Sequence, residues 1–488
     1  MPTHKVPLIA NEGIFRGLAS QNMLFHQCLG ELVDNAIAAS LAAGQKFRVD
    51  IIFSPIPGNN ERVDLYVADN GRGMTLEHLG KALQLGESAT KDSRLNEHGF
   101  GLKNALATLS GGNGPWKIWT KPKNEGTVLT VEGPFSPEME IRDEQAFPAD
   151  AFLPADFSTL IRVPVKVSFI QTTQGRGAPA TDLNALRDWI VEHLGVAYRG
   201  YLAQDEESFE TSGVIVVSIG TNSVQVPPVE VPFGNREVKY FDIQLGAKVE
   251  RIQYRFGTLD EEKRDKLVRG KKAKFYYQQN QPTQGIDIRL GKRVIATRQF
   301  ETIWNISRHN SFNDFVGELL IPELPRGILN TTNTKTDFNL DDPDWGKIFS
   351  NLAKIPPKKE IRERSEAEVR DKWIQMLKAT NPEDTVSNER SVWPTGTRID
   401  VYRRTPQGKI IIYELKVVTA SPIHLYQLKM YWDGLVIYGK EQPSEAILIA
   451  EAFDPALEEM ANMMNLLTPP NETKPYNFKI ERLKDKNL

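Results

Sequence analysis

Apolar side chains recur at helical spacing between Ser20 and Ala43, which predicts one amphipathic helix near the start of the chain. Its apolar face comprises Leu24, Cys28, Leu29, Leu32, Val33 and Ile37. The run from Val63 to Ala68 predicts a strand. Further on, a helix around Asp182 to Tyr198 precedes strands around Val214 to Ser218 and Ile286 to Leu290. This mixture predicts an α+β or α/β fold.

A hairpin pattern stands out near the C-terminus. Apolar and polar residues alternate in Arg398–Tyr402 and again in Lys409–Val418, and Pro406-Gln407-Gly408 between them suits a three-residue loop. Counting back from this loop places Asp400 opposite Glu414. Opposed residues share one face of a sheet, with Cβ atoms about 5 Å apart. The two carboxylates can therefore hold one divalent cation between them.

The length of 488 residues allows about three domains at roughly 100 to 200 residues each. A charged, proline-containing stretch without apolar periodicity predicts an inter-domain linker at 349–365. We therefore expect a multidomain chain with a first domain at 1–170, a second at 171–348 and a third at 366–488.

Composition narrows the class of protein. The chain has 60 basic and 63 acidic residues, a net charge of −3 and 40% hydrophobic residues, which excludes a disordered or fibrous protein. It shows neither an apolar run near the roughly 18 residues of a membrane span nor a signal-peptide pattern, so we expect a cytoplasmic protein that does not bind membranes. One cysteine excludes an internal disulfide, and seven scattered histidines lack zinc spacing, so any metal should have oxygen ligands.

Three polar motifs interrupt the first domain. Glu31 and Asn35 lie four residues apart on the predicted helix, where a carboxylate can orient water and a carboxamide oxygen can bind Mg²⁺. A solvated polar flank is the alternative. Asp69-Asn70-Gly71-Arg72-Gly73-Met74 directly follows a predicted strand. Its glycines allow the backbone to approach a flat ligand, and its aspartate can accept a hydrogen bond from an exocyclic amine.

The third motif comprises Gly86-Glu87-Ser88 and Gly99-Phe100-Gly101-Leu102-Lys103-Asn104-Ala105. Such glycines let the backbone wrap phosphate oxygens at a helix N-terminus, and the lysine can add a charge. In this order, ELVDNA at 31–36, DNGRGM at 69–74 and GFGLKNA at 99–105 resemble the GHKL ATPases, the class of gyrase B, Hsp-type chaperones, histidine kinases and MutL.

The resemblance implies a Bergerat α/β sandwich that binds ATP and Mg²⁺. Glu31 would activate the hydrolytic water, Asn35 would hold Mg²⁺ and Asp69 would read the adenine amino group. The other implied nucleotide-binding positions are Gly71, Gly73, Met74, Ser88, Gly99, Gly101, Leu102, Lys103 and Thr159. Thr159 follows Ser158 where the class has a glycine, and Gly126-Thr127 competes for its role.

The second domain carries a further resemblance. WIVEHLGVAYRGY at 189–201 and GILNTTNTKTDF at 327–338 resemble the ribosomal-S5-like transducer domain of the MORC, MutL and gyrase branches. The resemblance implies that Lys335 meets the γ-phosphate of ATP. A surface lysine is the alternative. The basic run at 263–274 ends in Phe275-Tyr276-Tyr277, which suits either a nucleic-acid surface with stacked bases or a solvated face with buried aromatics.

The third domain resembles the PD-(D/E)xK nucleases, which have a restriction-endonuclease-like α/β fold, through Asp400 and Glu414-Leu415-Lys416. Ile399 replaces the usual leading proline. The resemblance implies that Asp400 and Glu414 hold Mg²⁺ or Mn²⁺ and that Lys416 positions the attacking water. An exposed hairpin face is the alternative.

Two further positions support the nuclease pattern. Gln427 and Tyr431 follow a helix start at Ser421-Pro422 and match the QxxxY element of RecB-like members. Glu368 is either a metal-site glutamate on the first helix of the domain or part of a capping box.

Together these resemblances predict an ATP-gated, metal-dependent DNA nuclease. ATP would drive formation of a homodimer that clamps double-stranded DNA, and the third domain would hydrolyse phosphodiester bonds. Prokaryotic anti-phage defence or restriction is the biology that this pairing suggests, with another defence-system protein as a further partner. The alternatives are a MORC-like DNA clamp or compaction protein, and a chaperone-like ATPase, whose C-terminal domain only binds.

Overall fold

The computed structural model describes residues 12–20, 23–86, 94–96, 99–123, 126–175, 182–204, 210–331, 338, 341–357, 366–394, 397–470, 472–486 and 488. The chain divides into two compact units, residues 1–360 and residues 361–488. Within the described ranges, every helix is too short or too polar to span a bilayer.

The first unit begins with an eight-stranded sheet. Its strands are β1 (Phe47–Ile56), β2 (Asn59–Asp69), β3 (Lys117–Thr120), β4 (Val128–Glu132), β5 (Ile141–Glu144), β6 (Thr159–Lys166), β7 (Gly213–Ile219) and β8 (Asn222–Gln225). Their order is β5-β4-β3-β6-β2-β1-β7-β8, and only the β1–β7 pair is parallel. The sheet thus includes two strands from beyond residue 170, where we expected the first domain to end, because the apolar run of β7 is buried beside β1.

Helices cover one face of this sheet. The helices of the first unit are α1 (Glu12–Ala19), α2 (Phe25–Leu41), α3 (Leu76–Leu83), α4 (Gly101–Leu109), α5 (Val167–Ile170), α6 (Leu183–Ala197), α7 (Arg199–Leu202), α8 (Glu261–Asp265), α9 (Glu301–Trp304) and α10 (Pro343–Leu352). α2, α4 and α6 contribute Leu29, Leu106 and Ile190 to a core shared with the strands. The predicted apolar face of α2 is buried except at Leu24, which is 37% exposed because it precedes the first turn as the N-cap residue.

A five-stranded sheet completes the first unit. Its strands are β9 (Phe233–Leu245), β10 (Lys248–Leu259), β11 (Gly285–Leu290), β12 (Arg293–Gln299) and β13 (Phe315–Ile321), in the order β12-β11-β13-β10-β9. α10 packs against the core of this sheet through Trp345, Ile348 and Leu352. Residues 349–352 therefore belong to a packed helix, which corrects the start of the linker predicted at 349–365.

Of the three aromatic residues after the basic run, Tyr276 and Tyr277 are buried and Phe275 is half-buried. Tyr276 bonds to His193 Nδ1 at 2.8 Å, and the Tyr277 hydroxyl accepts a hydrogen bond from Arg199 at 2.9 Å. Nucleic-acid bases cannot stack on rings that the core already covers. The structure therefore agrees with the alternative of a charged surface beside buried aromatics.

The second unit is an α/β/α sandwich. Its elements are α11 (Glu366–Thr380), β14 (Thr385–Ser391), β15 (Arg398–Arg404), β16 (Ile410–Ala420), α12 (Pro422–Gly434), β17 (Glu445–Phe453), α13 (Leu457–Met464) and β18 (Phe478–Arg482). The strands lie in sequence order, with β14–β15 and β15–β16 antiparallel and β16–β17 and β17–β18 parallel. α11 packs on one core of the sheet, and α12 and α13 pack on the other.

Arg199 sits at the centre of a buried ion cluster in the first unit. Its guanidinium lies 2.8 Å from Asp287 and 2.6 Å from Glu318, and all three side chains are buried. Arg289 lies farther from Glu318, at 3.7 Å, so Arg199 is the cation closest to both carboxylates. Removing it leaves Asp287 and Glu318 largely uncompensated, which is far more costly than replacing the whole cluster.

We predict that Arg199→Met lowers the free energy of unfolding of the first unit by about 3 to 5 kcal/mol. Urea unfolding would measure the change, and hydrogen exchange of the β11 and β13 amides would assign it to this unit. Lys266→Met, which breaks an exposed pair with Glu262, is the control and should change the free energy by less than about 1 kcal/mol. Equal midpoints for the two variants would contradict the prediction.

Candidate functional site

Asp69, the predicted adenine-reading residue, is buried at the end of β2. Its Oδ1 accepts a hydrogen bond from the backbone N–H of Gly71 at 2.8 Å. Burial raises the pKa of Asp69 to about 7, and the hydrogen bond from Gly71 opposes that rise. A carboxylate has about four acceptor positions, so Asp69 retains the capacity to accept a hydrogen bond from an amine.

The two glycines after Asp69 are required by close packing. A Cβ on Gly71 would lie 2.8 Å from the Cβ of Ala39 on α2. Gly73 has a φ of +68°, and a Cβ there would lie 2.2 Å from the carbonyl oxygen of Lys121. The loop therefore runs between α2 and the end of β3, and a side chain at either position would push it away.

Thr159 is aligned with Asp69 across the sheet. The two residues are direct partners in the β2–β6 register, and Thr159 is also the partner of Thr120 on β3. The two threonine hydroxyls lie 3.1 Å apart, and Thr120 Oγ1 accepts a hydrogen bond from the N–H of Met74 at 2.9 Å. Thr127, the competing position, is exposed just before β4. The structure thus pairs Thr159 with the predicted nucleotide residues.

Two hydroxyl residues at this sheet end were missed by sequence reasoning. Thr120 joins Met74 to Thr159, as described above, and no motif surrounds it. Ser158 Oγ donates to the carbonyl oxygen of Gly71 at 2.6 Å, and its N–H donates to that of Asp69 at 2.8 Å. The only signal for Ser158 was its departure from the glycine of the GHKL pattern.

Glu31 and Asn35 lie on one flank of α2, as their spacing predicts. Glu31 is only 2% exposed, and a Cβ on Gly101 would lie 2.0 Å from its Oε2. Glycine at the first position of α4 therefore lets that helix begin against the carboxylate. The Asn35 Nδ2 atom is buried without a hydrogen-bond partner among the described residues. The carboxamide of Asn35 therefore has a buried donor nitrogen to which no described residue is hydrogen-bonded.

The predicted phosphate loop is partly described. Ser88 lies outside the described residues, Gly99 has a φ of +67°, and Leu102 is half-buried in the first turn of α4. The side chain of Lys103 is buried, and its Nζ donates to the carbonyl oxygen of Ala82 at 2.9 Å, so the phosphate contact of this lysine stays a prediction. That carbonyl belongs to the last turn of α3, where a lysine is a favourable partner.

Arg94 ties this region to the segment that leads to Lys335. Its two terminal nitrogens donate to the carbonyl oxygens of Ile328 and Leu329, each at 2.8 Å. Lys335 itself lies outside the described residues. The short turn at Arg94–Asn96 lies between the two parts of the third motif, and these two hydrogen bonds anchor it to the segment that follows β13.

The hairpin of the second unit has the predicted register. Val401 is the partner of Tyr413, and Gly408 in the loop has a φ of +81°. The observed pairing ends at Val401 and Tyr413, and continuing it by one residue would set Asp400 opposite Glu414, as the sequence predicts. Asp400 Oδ2 also accepts a hydrogen bond from the N–H of Leu415 at 3.0 Å, which fixes the aspartate beside β16.

Glu414 is a fully buried carboxyl group in this hairpin. It is 0% exposed, and neither oxygen has a hydrogen bond of good geometry within the described part of the chain. Lys416 Nζ lies 3.0 Å from Glu414 Oε1. Burial and the charge of Asp400 raise the pKa of Glu414 to about 8, and the charge of Lys416 opposes the rise.

Gln427 and Tyr431 approach the same carboxyl group from α12. That helix begins with Ser421 as N-cap and proline at the first position, as predicted. Gln427 Nε2 donates to the Tyr431 hydroxyl at 2.6 Å. Burial and then the nearby charge of Glu414 raise the pKa of Tyr431 above its usual value, which indicates that the phenol lies close to Glu414.

Glu366, which sequence reasoning missed, reaches this site from α11. Its Oε2 lies 3.2 Å from Lys416 Nζ. Glu368 is exposed, and two residues along a helix point about 200° apart. The structure therefore brings Glu366 to the lysine, and a metal-site role for Glu368 stays a prediction. Both glutamates lie in the first turn of α11, so the sequence alone could not show which of them faces the lysine.

The donor set around Glu414 fits a divalent cation in chemistry. A buried carboxyl with a raised pKa, beside a second carboxylate, is stabilised when a cation replaces its proton. No group of three or more His, Cys, Asp or Glu side chains in the described ranges is arranged as a complete metal site. Mg²⁺ commonly takes one or two carboxylates and fills its remaining positions with water and substrate phosphates.

Comparison with known proteins identifies the N-terminal part of the chain. Residues 20–137 match the family model of the histidine kinase-, DNA gyrase B- and HSP90-like ATPases. This part is therefore a GHKL ATPase domain, as predicted. No curated protein matches the chain.

Two solved structures resemble the chain at low overall similarity. The ATPase domain of Aquifex aeolicus MutL complexed with ADP has 12% identity and a TM-score of 0.30, and the match covers 61% of this chain and 90% of that one. The N-terminal domain of a DNA repair protein has 13% identity and a TM-score of 0.36, with 70% and 97% covered. The assignment of the ATPase domain therefore depends on the family model.

We predict that Mn²⁺ binding without nucleotide releases about one proton per cation at pH 7, because Glu414, with a pKa near 8, is mostly protonated there. Calorimetry in buffers of different ionisation enthalpy measures this release, which should vanish well above pH 8. Glu414→Gln should abolish the release and weaken binding at least about tenfold. Glu459→Gln, an exposed change on α13, is the control. Binding without proton release would contradict the assignment.

Proposed function

We propose that this protein is an ATP-gated, metal-dependent DNA nuclease. The observation that carries the proposal is the convergence of Asp400, Glu414, Lys416 and Tyr431 in a chain that begins with a GHKL ATPase domain. Opposed carboxylates repel each other when no cation lies between them. Glu414 is buried and Asp400 is half-buried, and a cation bound between them would remove this repulsion.

In the N-terminal domain, the proposed ligand is ATP with Mg²⁺. Asp69 would accept a hydrogen bond from the adenine amino group, next to the backbone of Gly71 and Gly73. Glu31 would act as the general base that orients the attacking water, and Asn35 would hold Mg²⁺. The burial of Glu31 against Gly101 supports this role, because a base must be held in one direction to act on water.

In the C-terminal unit, Asp400 and Glu414 would hold Mg²⁺ or Mn²⁺, which supplies Lewis-acid polarisation of the scissile phosphate when bound. Lys416 would position the attacking water beside the two carboxylates, and Glu366 holds the lysine from the other side at 3.2 Å. Tyr431, whose hydroxyl accepts a hydrogen bond from Gln427, is buried and would stand beside Glu414. Glu414 would release its proton to solvent when the cation binds and would then hold the cation as a carboxylate.

The coupling between the two activities is also a proposal. ATP binding would join two copies of the N-terminal domain around double-stranded DNA, and Lys335 would report the γ-phosphate. Cleavage would then depend on the nucleotide state. A cytoplasmic role in prokaryotic anti-phage defence or restriction fits such a gated activity, with another defence-system protein as a further partner.

We predict that Glu31→Gln retains ATP binding and lowers ATP turnover by at least about 100-fold, because the amide keeps the packing against Gly101 but cannot accept the proton of water. Fluorescence titration with a labelled nucleotide and a phosphate-release assay measure the two effects. Glu61→Gln, an exposed change on β2, should alter neither. Loss of binding together with turnover would show that Glu31 is structural.

We predict that the full-length protein cleaves DNA with Mg²⁺ or Mn²⁺ and that ATP increases the rate. Linear, supercoiled and single-stranded DNA should be assayed with and without ATP. Glu414→Gln should abolish cleavage while ATP turnover continues, because its effect is confined to the cation site in the second unit. Glu459→Gln is again the matched control.

The outcomes of this assay separate the alternatives. ATP turnover stimulated by DNA without cleavage under any condition would favour a MORC-like clamp. Turnover that is indifferent to DNA, again without cleavage, would favour a chaperone-like ATPase.

A further inference from the structure

Arg293 connects the second sheet to the helix that carries Glu31 and Asn35. It is the first residue of β12, and its Nε lies 3.0 Å from Oδ1 of Asp34 on α2. The Asp34 side chain is buried, and that of Arg293 is 11% exposed. This ion pair therefore crosses from one sheet of the unit to a helix that packs on the other.

Tyr198 fixes the geometry of the pair. The Arg293 guanidinium lies 4.4 Å from the centroid of the Tyr198 ring. The single proton of the Tyr198 hydroxyl lies between two acceptors, Asp34 Oδ1 at 2.7 Å and the carbonyl oxygen of Gly30 at 2.8 Å. One oxygen of Asp34 thus accepts from two side chains on two different elements.

The backbone completes this network. Arg293 also donates to the carbonyl oxygens of Val294 at 2.7 Å and Ala197 at 3.4 Å. A Cβ on Gly30 would lie 3.4 Å from a terminal nitrogen of Arg293, so glycine at this position gives the guanidinium room beside α2. The arginine is therefore held by a planar set of acceptors that a lysine cannot match.

Asp34 lies three residues after Glu31 and directly before Asn35. Residues three apart on a helix point about 60° from each other, so fixing Asp34 fixes the rotation of the flank that carries the other two. A buried ion pair contributes little net stability compared with apolar packing, but it specifies one geometry. A displacement of a catalytic group by about 1 Å can lower a rate by about 100-fold.

We propose that Arg293 is a positioning residue for ATP hydrolysis, which acts through Asp34 to orient Glu31 and Asn35 and so makes turnover depend on the position of the second sheet. The inference rests on the ATPase activity proposed above. It adds that the second sheet supplies part of the support of the ATP site in the same chain.

The test separates turnover from nucleotide binding. Arg293→Met and Tyr198→Phe should each lower the kcat for ATP at least about tenfold. The affinity for ADP without Mg²⁺, which depends on the adenine pocket around Asp69, should remain within about threefold of wild type. Arg293→Lys should restore part of the rate, since it keeps the charge without the fork. Lys292→Met, an adjacent exposed change, should leave both values unaltered.

Coupling between the partners provides the second readout. If Arg293 acts through Asp34, the double variant Arg293→Met/Asp34→Asn should lose no more rate than the more severe single variant. Additive losses would overturn the proposal, as would an unaltered kcat. A parallel fall in kcat, ADP affinity and unfolding midpoint would also overturn it, since that pattern belongs to a structural residue.

Different results would overturn the role of Arg293 and the proposed ATPase activity. If wild type does not hydrolyse ATP, or if Glu31→Gln hydrolyses it at the wild-type rate, the proposed function is wrong. If wild type hydrolyses ATP and Glu31→Gln does not, an effect of Arg293→Met confined to kcat supports the inference, and its absence overturns it.

Discussion

The ion pair between Arg293 and Asp34, at 3.0 Å in the interior of the first unit, constrains much of what surrounds it. An apolar helix face would allow α2 to rotate slightly against its sheet, since apolar contacts have no direction. Asp34 removes that freedom, because its oxygen must meet both Arg293 and Tyr198. Glu31 and Asn35 lie on the same helix as Asp34, so the rotation of the helix that Asp34 fixes also sets their orientation. Gly101 then lets α4 begin against Glu31, so the predicted phosphate loop also depends on the same helix.

Glu414, the buried carboxyl group of the second unit, has different charged neighbours from those of Asp34. Asp34 is neutralised by an arginine from a distant strand, whereas Glu414 has a lysine two residues away and a second carboxylate opposite. Its pKa of about 8 means that this set of charges favours a neutral glutamic acid near pH 7. A buried group in that state is poised to exchange its proton for a cation. The two carboxyl groups therefore differ in their nearest charges: Asp34 faces an arginine, whereas Glu414 faces both a lysine and a second carboxylate.

The sequence was most informative where the chemistry is local. The hairpin from Arg398 to Val418 contains its own loop and alternation, so the opposition of Asp400 and Glu414 could be counted from the turn. The motif around Asp69 was found for the same reason. Thr120 and Glu366 were missed because their roles come from strand order and helix direction, which no local spacing encodes. The direction of Lys103 toward Ala82 likewise depends on how α3 and α4 meet.

The second sheet's contribution to the predicted ATP site was not visible in the sequence, because it depends on contacts between residues that are far apart in the chain. Arg293 and Asp34 are 259 positions apart, and nothing in the residues around Arg293 resembles a motif. Arg94 reaches the segment before Lys335 across a separation of 234 positions. Both contacts use arginine, whose planar fork can hold several acceptors at once in a partly buried setting. The helix that carries Glu31 and Asn35 and the turn next to the predicted phosphate loop thus both contact residues of the second sheet or of the segment after it. Any movement of those elements would reach the helix and the turn together, which is the physical requirement for nucleotide-dependent coupling within this unit.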